Sequence, residues 1–546
     1  ATRGKRRRPN EPRRLRRVIL TLPPAMPLPE RRLMRERAEA AADLIAATIR
    51  DASKEAVRGY QRPVEDLTFP QRPEVNPRWD EASATQLVYL YTQIKQRFNG
   101  QVRQFFEIMG KRRSGGETLR LASIDIGGGT TDLMVTTYEQ EAGQALIPTQ
   151  NFRESLRVAG DDILQAVIEQ QVLADLRRAL ADEGVEKPET LLSELFSGDF
   201  AGVSEQERHL RKQFVNQVLV PVALHLMHAT EQADLSSTPP NRSLKLEEAL
   251  SGQQALEART FGYLEERVRQ RTGRPFNARE IQIELDHVAI ADTIAGVMDT
   301  SLALLSEAIH ALDCDVLLVS GRPSRLPAIQ HLLLRHLPVS AGRVVPMHTF
   351  QVGGWYPFRD ALGRIRDPKT TAVVGAALCE LAEGQIRNFV LHTDQMTLKS
   401  TAHFIGQMDD TDYVPGTPER PLLFSNVDLD RRQAADAQMS TKVKMYSPMD
   451  IGFRQLPIAR WPAQPLYHLA PVDRTQLRKH PTPWQVTITR SDPQDEDQAE
   501  EKKEEFEVEE AVDRNENPVH TKIVQLRLQT LRHGSYWLDT GALRVT

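Results

Sequence analysis

Apolar and polar positions along this chain change period several times, and each change marks an element. Val18-Ile-Leu-Thr-Leu22 is a short unbroken apolar run stopped by Pro23 and Pro24, which predicts a buried strand. From Glu30 to Arg58 apolar and alanine positions recur at helical spacing with no breaker, so one long helix is expected. A loop with Pro63, Pro70, Pro73 and Pro77 leads to a second helix, starting near Trp79 and reaching Tyr91. Its Ala82, Ser83 and Ala84 leave room for another backbone. Residues 151–313 read as mainly helical. Gly160-Asp161-Asp162 opens an amphipathic helix with the aspartates as caps, and the stretches 214–228 and 246–271 continue the pattern. A strand at 281–285 precedes a long helix at 288–312. Asp315 begins another buried strand, closed by a glycine turn and followed by a helix whose start is favoured by Pro327. A helix over 367–381 carries Gly375, Ala376 and Ala377, small enough for a close helix crossing. Beyond Gly384 the β-branched and aromatic segments 484–490, 522–528 and 536–538 predict strands.

The stretch 121–135 concentrates the candidate chemistry. An apolar strand runs into Asp125, Gly127, Gly128 and Gly129 follow, then Thr130 and Thr131, and a second strand leaves after Asp132. Glycines at such a tip can take φ > 0 and carry no Cβ, so successive N–H groups can face a phosphate. Asp125 is placed to hold Mg²⁺ through water, because that ion keeps much of its hydration shell. Thr130 and Thr131 add hydroxyl donors. The stretch is not a Walker loop, since no Gly-Lys-Ser/Thr follows. It is not a dinucleotide fingerprint either, since a strand and not a helix follows the turn.

Composition narrows the classes. With 546 residues, 40% of them hydrophobic, the chain can build more than one core. A formal net charge of -4 commits it to no nucleic acid. Two cysteines make neither a disulfide framework nor a cysteine-rich zinc site. Longer apolar stretches such as 218–227 are interrupted by Pro221 and His225, so no membrane-spanning segment is expected. The arginine-rich residues 1–17 read as a solvated tail or loop, and the acidic residues 495–510 as a solvated loop or hairpin extension. His225 and His228 lie on one helix face but lack further ligands for a zinc site.

Four segments in this order resemble the actin, sugar-kinase and heat-shock-chaperone ATPase superfamily. The stretch from Asp125 to Asp132 is similar to its second phosphate motif, and Glu81-Ala-Ser-Ala84 to its first connecting helix. Ser320-Gly-Arg-Pro-Ser-Arg325 resembles its adenosine motif, and Thr371-Ala-Val-Val-Gly-Ala-Ala377 its second connecting helix. The arginine-rich lead, the Ser320 to Pro327 sequence and the long β-rich tail most resemble the SrfB family of bacterial virulence factors.

The resemblance implies an α/β, actin-like ATPase (ribonuclease H-like) fold, mostly its second lobe, with an appended β-rich C-terminal domain. Residues 1–17 would be a basic tail or loop, 18–120 a partial first lobe, 121–384 the second lobe and 385–546 the β-rich domain. ATP and Mg²⁺ are the implied cofactors. Glu81, Asp125 and Asp132 would be the catalytic carboxylates, with Asp125 positioning the hydrated metal and Glu81 helping the metal or the attacking water. Gly127, Gly128, Gly129, Thr130 and Thr131 would receive the phosphates, while Gly321 and Arg325 border the adenine. Slow hydrolysis in the cytoplasm would drive lobe opening and exchange of a protein partner; the competing expectation is a non-hydrolysing scaffold. Two departures stand out. Ser320 holds a position where the adenosine motif has a glycine, and the superfamily's first phosphate motif belongs upstream of Val18. The expectation is therefore either a C-terminal part of a longer protein or a protein lacking half of its phosphate clamp.

Overall fold

The computed structural model of the chain describes residues 15–58, 72–113, 116–198, 203–233, 240–251, 258–336, 338–392, 400–425, 440–473, 475–490, 504–529 and 536–545. The basic residues 1–14 and most of the acidic stretch, 495–503, lie outside these. The fold is mixed α/β. It divides into two units, Ala1–Ile124 with Asp132–Leu156 and Thr349–Arg532, and Asp125–Thr131 with Arg157–His348 and His533–Thr546.

In chain order the main elements begin with β1 (Arg17–Leu22), α1 (Leu28–Arg58), β2 (Glu74–Asp80) and α2 (Glu81–Tyr91). A meander follows: β3 (Gly116–Ile126), β4 (Thr131–Glu141) and β5 (Ala145–Leu156). Next come α3 (Gly160–Val167), α4 (Val220–Thr230), α5 (His287–Ala311), β6 (Val316–Ser320), α6 (Pro327–His336), β7 (Val344–Pro346), α7 (Thr370–Ala382) and β8 (Val390–Leu391). The C-terminal strands are β9 (Phe404–Gln407), β10 (Leu422–Phe424), β11 (Ser440–Met445), β12 (Met449–Arg454), β13 (Gln464–Pro471), β14 (Trp484–Arg490), β15 (Phe506–Val512) and β16 (Val524–Leu528). Helix α8 (Trp537–Thr540) is last.

The first unit is organised by the crossing of α2 and α7. Ala82, Ser83 and Ala84 are fully buried, and a Cβ added to Gly375 would lie 1.9 Å from the Ala84 carbonyl oxygen. The hydroxyls of Thr85 and Thr371 meet at 2.8 Å across this contact. Asp80 caps α2, accepting from the Ser83 amide at 2.6 Å. Strands β1 and β2 pair in parallel, Arg17 opposite Glu74. Buried Glu380 on α7 ties both strands to the helix, accepting from Arg17, Asn76 and, at 2.9 Å, Trp79 Nε1. Between α2 and the meander, Gln86 Nε2 donates to Ser123 Oγ at 3.0 Å, and Gln86 Oε1 accepts from the Tyr138 hydroxyl at 2.9 Å. Strand β8 runs parallel to β5, Val390 opposite Ala145.

The C-terminal part of this unit holds a five-stranded sheet, ordered β10-β9-β12-β13-β16, and a three-stranded sheet, ordered β11-β14-β15. Trp484, Leu466, Phe453, Val486 and Met445 share one apolar core. The acidic stretch departs from the expected solvated loop at its end. Residues 506–510 belong to β15, antiparallel to β14, and Phe506 and Val508 pack on the core. Glu504 is buried; its Oε2 accepts from the Leu28 amide at 2.7 Å, and burial raises its pKa.

Glu154 on β5 is also buried, accepting from Trp461 Nε1 at 2.6 Å and from the Ser155 amide at 3.1 Å. Burial lifts its carboxyl to about 7, against those two bonds. A raised carboxyl pKa means that the folded state favours the proton. The stabilising contribution is therefore complete below the ordinary carboxyl pKa of about 4.3 and is lost as pH rises through about 7. Glu154→Gln should remove this dependence. Melts taken at about pH 5.5 and 8.5 should show the wild type losing roughly 2 kcal/mol more than the variant over that interval.

In the second unit β6 and β7 pair in parallel, Val344 opposite Leu317. Helix α5 packs on α3 and α6 with Ile290, Ile294, Met298, Leu302, Leu305 and Ile309 buried. It is long and apolar enough to cross a membrane by length and composition, a stretch that a search for unbroken apolar runs passes over. A helix packed inside a protein meets the same two criteria, and one face of this helix is buried. The expected helix over 246–271 is two pieces among the described residues, Leu246–Ala249 and Ala258–Thr272. The segment 536–538, expected as a strand, forms helix α8 instead. Trp537 is buried while Tyr536 stays half exposed, and Gly541 ends the helix with φ +69. Aromatic content suggested a strand there, and docking of Trp537 decided otherwise.

Candidate phosphate-binding site

The site is built from the tip that joins β3 to β4. Gly127 N donates to Thr130 O at 2.8 Å and closes the turn. The first amides of α3 then hold the tip from one side: Gly160 N donates to Gly127 O at 3.0 Å, and Asp161 N to Gly128 O at 2.8 Å. In a trans peptide the N–H of the next residue points opposite to the carbonyl. The amides of Gly128 and Gly129 therefore face away from α3, side by side, with no acceptor among the described residues. Both glycines are exposed, and a Cβ on Gly129 would meet nothing within 4 Å. This is a pair of donors suited to an anion.

One part of the expectation, the positive φ, is not met at the tip. None of Gly127, Gly128 and Gly129 has positive φ. At Gly128 the missing Cβ makes room for the Asp161 carboxylate, whose oxygens lie 3.3 and 3.4 Å from its ideal position. The positive φ sits instead at Gly321, which follows β6 with φ +83. A Cβ there would fall 2.0 Å from Ile126 O and 2.6 Å from Asp125 Oδ1. Gly321 thus lets the end of β6 lie against the end of β3, beside Asp125. Pro323 continues the contact, its Cγ lying 3.0 Å from where a Gly160 Cβ would be.

The second unit thus brings together Asp125, Gly127, Gly128, Gly129, Thr130, Thr131, Gly321 and Arg325. Asp125 is buried. Thr131 is fully buried, and its hydroxyl donates to Val158 O at 2.7 Å, so it anchors the strand. Glu81, in the first turn of α2, and Asp132, buried on β4, belong to the first unit.

Arg325 was expected to border the adenine, and Arg322 opens the same turn. In the structure both guanidiniums are engaged by the mostly buried carboxylate of Glu231 just after α4. Arg322 Nη2 lies 3.0 Å from Oε1 and Arg325 Nε 3.1 Å from Oε2, while His228 Nδ1 stands 3.2 Å from Oε2. These pairs fix the turn after β6 to the end of α4. His228 therefore belongs to an ion-pair cluster, and no group of three or more His, Cys, Asp or Glu suited to a metal occurs among the described residues.

Sequence reasoning missed two side chains at the tip. Asp161 was read as a cap, but capping falls to Asp162, whose Oδ2 accepts from the Ala159 amide at 2.8 Å. Asp161 turns to Gly128 and accepts from the Tyr536 hydroxyl. A contact across 375 residues leaves no local signal.

A family model described as Virulence factor SrfB matches residues 1–544. The chain belongs to the SrfB family. A search of curated proteins returned no match. In this SrfB-family chain the match spans the glycine tip, the Gly321 turn and the C-terminal sheets alike.

Proposed function

We propose that this SrfB-family protein is an actin- and chaperone-like ATP-binding protein whose second unit receives the phosphates of Mg-ATP at the β3–β4 tip. The paired amides of Gly128 and Gly129, aimed away from α3, carry this reading. The strand arrangement supports it: a β3–β4–β5 meander, then a parallel β6–β7 pair whose first strand ends against Asp125 and Ile126. The close α2–α7 crossing supports it too, being the contact that two connecting helices would make.

Each tip amide would donate to a phosphate oxygen, a charge-assisted bond with a net contribution of about 1.5–3 kcal/mol. Thr130 adds a hydroxyl at the rim. Asp125, buried at the base of the tip, would accept from water on a hydrated Mg²⁺, an ion that keeps much of its hydration shell. Mg²⁺ would supply neutralisation of phosphate charge. Glu81 is the proposed orienting base for water, and Asp132 supports the motif from β4. We assign the protein to the cytoplasm, with slow hydrolysis in the full-length protein coupled to lobe motion and exchange of a protein partner.

The second reading is a non-hydrolysing scaffold. It is favoured by the Glu231 pairs, which occupy Arg325, expected at the base, together with Arg322, and by the Asp161 carboxylate beside Gly128. Titration calorimetry of the full-length protein with ATP separates the readings when followed by a phosphate-release assay. Mg-ATP should bind the wild type, and Asp125→Asn should weaken binding roughly tenfold or more, the loss of one charged hydrogen-bond partner. No binding to either protein would refute nucleotide recognition; binding without phosphate release would select the scaffold.

A further inference from the structure

The segment after residue 535 belongs to the second unit and is fastened to it at several points. Asn216 Nδ2 donates to Leu538 O at 3.1 Å, Arg211 Nε to Thr540 O at 3.0 Å, and Leu543 N to Phe196 O at 2.7 Å. Its terminal anchor is the Arg544 amide, which donates to Glu169 Oε1 at 2.7 Å. At its other end the Tyr536 ring is half exposed, and its hydroxyl donates to Asp161 Oδ2. Asp161 in turn lies over Gly128, where a missing Cβ leaves room for its carboxylate.

We propose that this C-terminal segment is a latch on the tip: Tyr536 holds the Asp161 carboxylate against Gly128, and so lowers the affinity of the tip for polyphosphate. The proposal rests on the reading of the tip as a phosphate site. A carboxylate there sets a negative charge beside Gly128, whose amide is one of the two donors that a phosphate would use, and like charges at such range disfavour binding. Without the Tyr536 hydroxyl, Asp161 is free to turn toward solvent. Burial and the Asp161 charge both push the Tyr536 phenol well above its ordinary pKa, so the hydroxyl remains a donor throughout the physiological range.

Tyr536→Phe and Asp161→Asn test the latch. In calorimetry of the full chain with Mg-ATP, both variants should bind roughly tenfold more tightly than the wild type, the worth of one charge-assisted hydrogen bond. Hydrogen exchange gives a second readout: saturating Mg-ATP should speed exchange of the Leu543 and Arg544 amides in the wild type. Affinity that is unchanged or weaker in both variants, with the wild type binding, would overturn the latch alone. It would make Asp161 a spectator or a positioning group for the hydrated metal. Absence of binding to all three proteins would overturn the nucleotide reading and the latch together.

Discussion

Gly375→Ala is expected to destabilise the first unit by roughly 3 kcal/mol or more, the upper range for overpacking against a rigid neighbour. The added Cβ would lie 1.9 Å from the Ala84 carbonyl oxygen and 2.7 Å from its Cα. These are backbone atoms of a buried helix, so no side chain can turn aside to admit it. Only separation of α2 from α7 relieves the clash. That separation stretches the Thr85–Thr371 bond and draws Glu380 away from Trp79, Asn76 and Arg17. Thermal and denaturant melts would show the loss. Gly296→Ala is the control: Gly296 lies within α5, and a Cβ there meets nothing within 4 Å. That substitution should be neutral or stabilising by about 0.5–1 kcal/mol, since alanine suits a helix better than glycine. Equal effects of the two substitutions would refute the close crossing.

Gly321→Ala is expected to cost about 3 kcal/mol in the second unit and to abolish binding at the tip. Its backbone at φ 83 and ψ 156 lies in a region essentially confined to glycine, and a side chain there costs about 1–3 kcal/mol. The larger effect is the clash 2.0 Å from Ile126 O. Relief requires the end of β6 to move from the end of β3, which displaces Asp125 and Ile126 at the base of the tip. Gly129→Ala has open space around its Cβ and should leave stability within about 0.5 kcal/mol of the wild type. Comparing melts of the two variants separates a packing requirement from a general need for glycine.

Much of this architecture was legible in local pattern. Val18 to Leu22, the long helix from Leu28, the strand–turn–helix around Gly321 and the small-residue helices α2 and α7 all announce themselves by period or by residue size. The SrfB assignment was legible in the arginine-rich lead, the Ser320 to Pro327 sequence and the β-rich tail. What local pattern could not show was which distant groups meet. Asp161 and Asp162 were both read as caps because both suit a helix start; Asp162 does cap, and only the position of Gly128 draws Asp161 out. Glu231 carries no motif, yet it decides where Arg322 and Arg325 point. The phrase from Tyr536 to Leu538 has strand-like composition, and burial of Trp537 against the second unit makes it helical. Glu154 fell in a stretch read as mainly helical, although it lies on β5, and Glu504 looked like an ordinary polar residue of an acidic run. Their burial follows from tertiary partners far away in the chain, Trp461 and Leu28.

Whether the amides of Gly128 and Gly129 hold phosphate is read most directly from nuclear magnetic resonance of ¹⁵N-glycine-labelled protein titrated with Mg-ATP, the two signals being assigned through Gly128→Ala and Gly129→Ala. Both amides should move downfield as they gain a charged acceptor, while Gly262, in the helix Ala258–Thr272, stays in place. Saturable ATP binding with the Gly128 and Gly129 signals unmoved would contradict the assignment of the tip as the phosphate site.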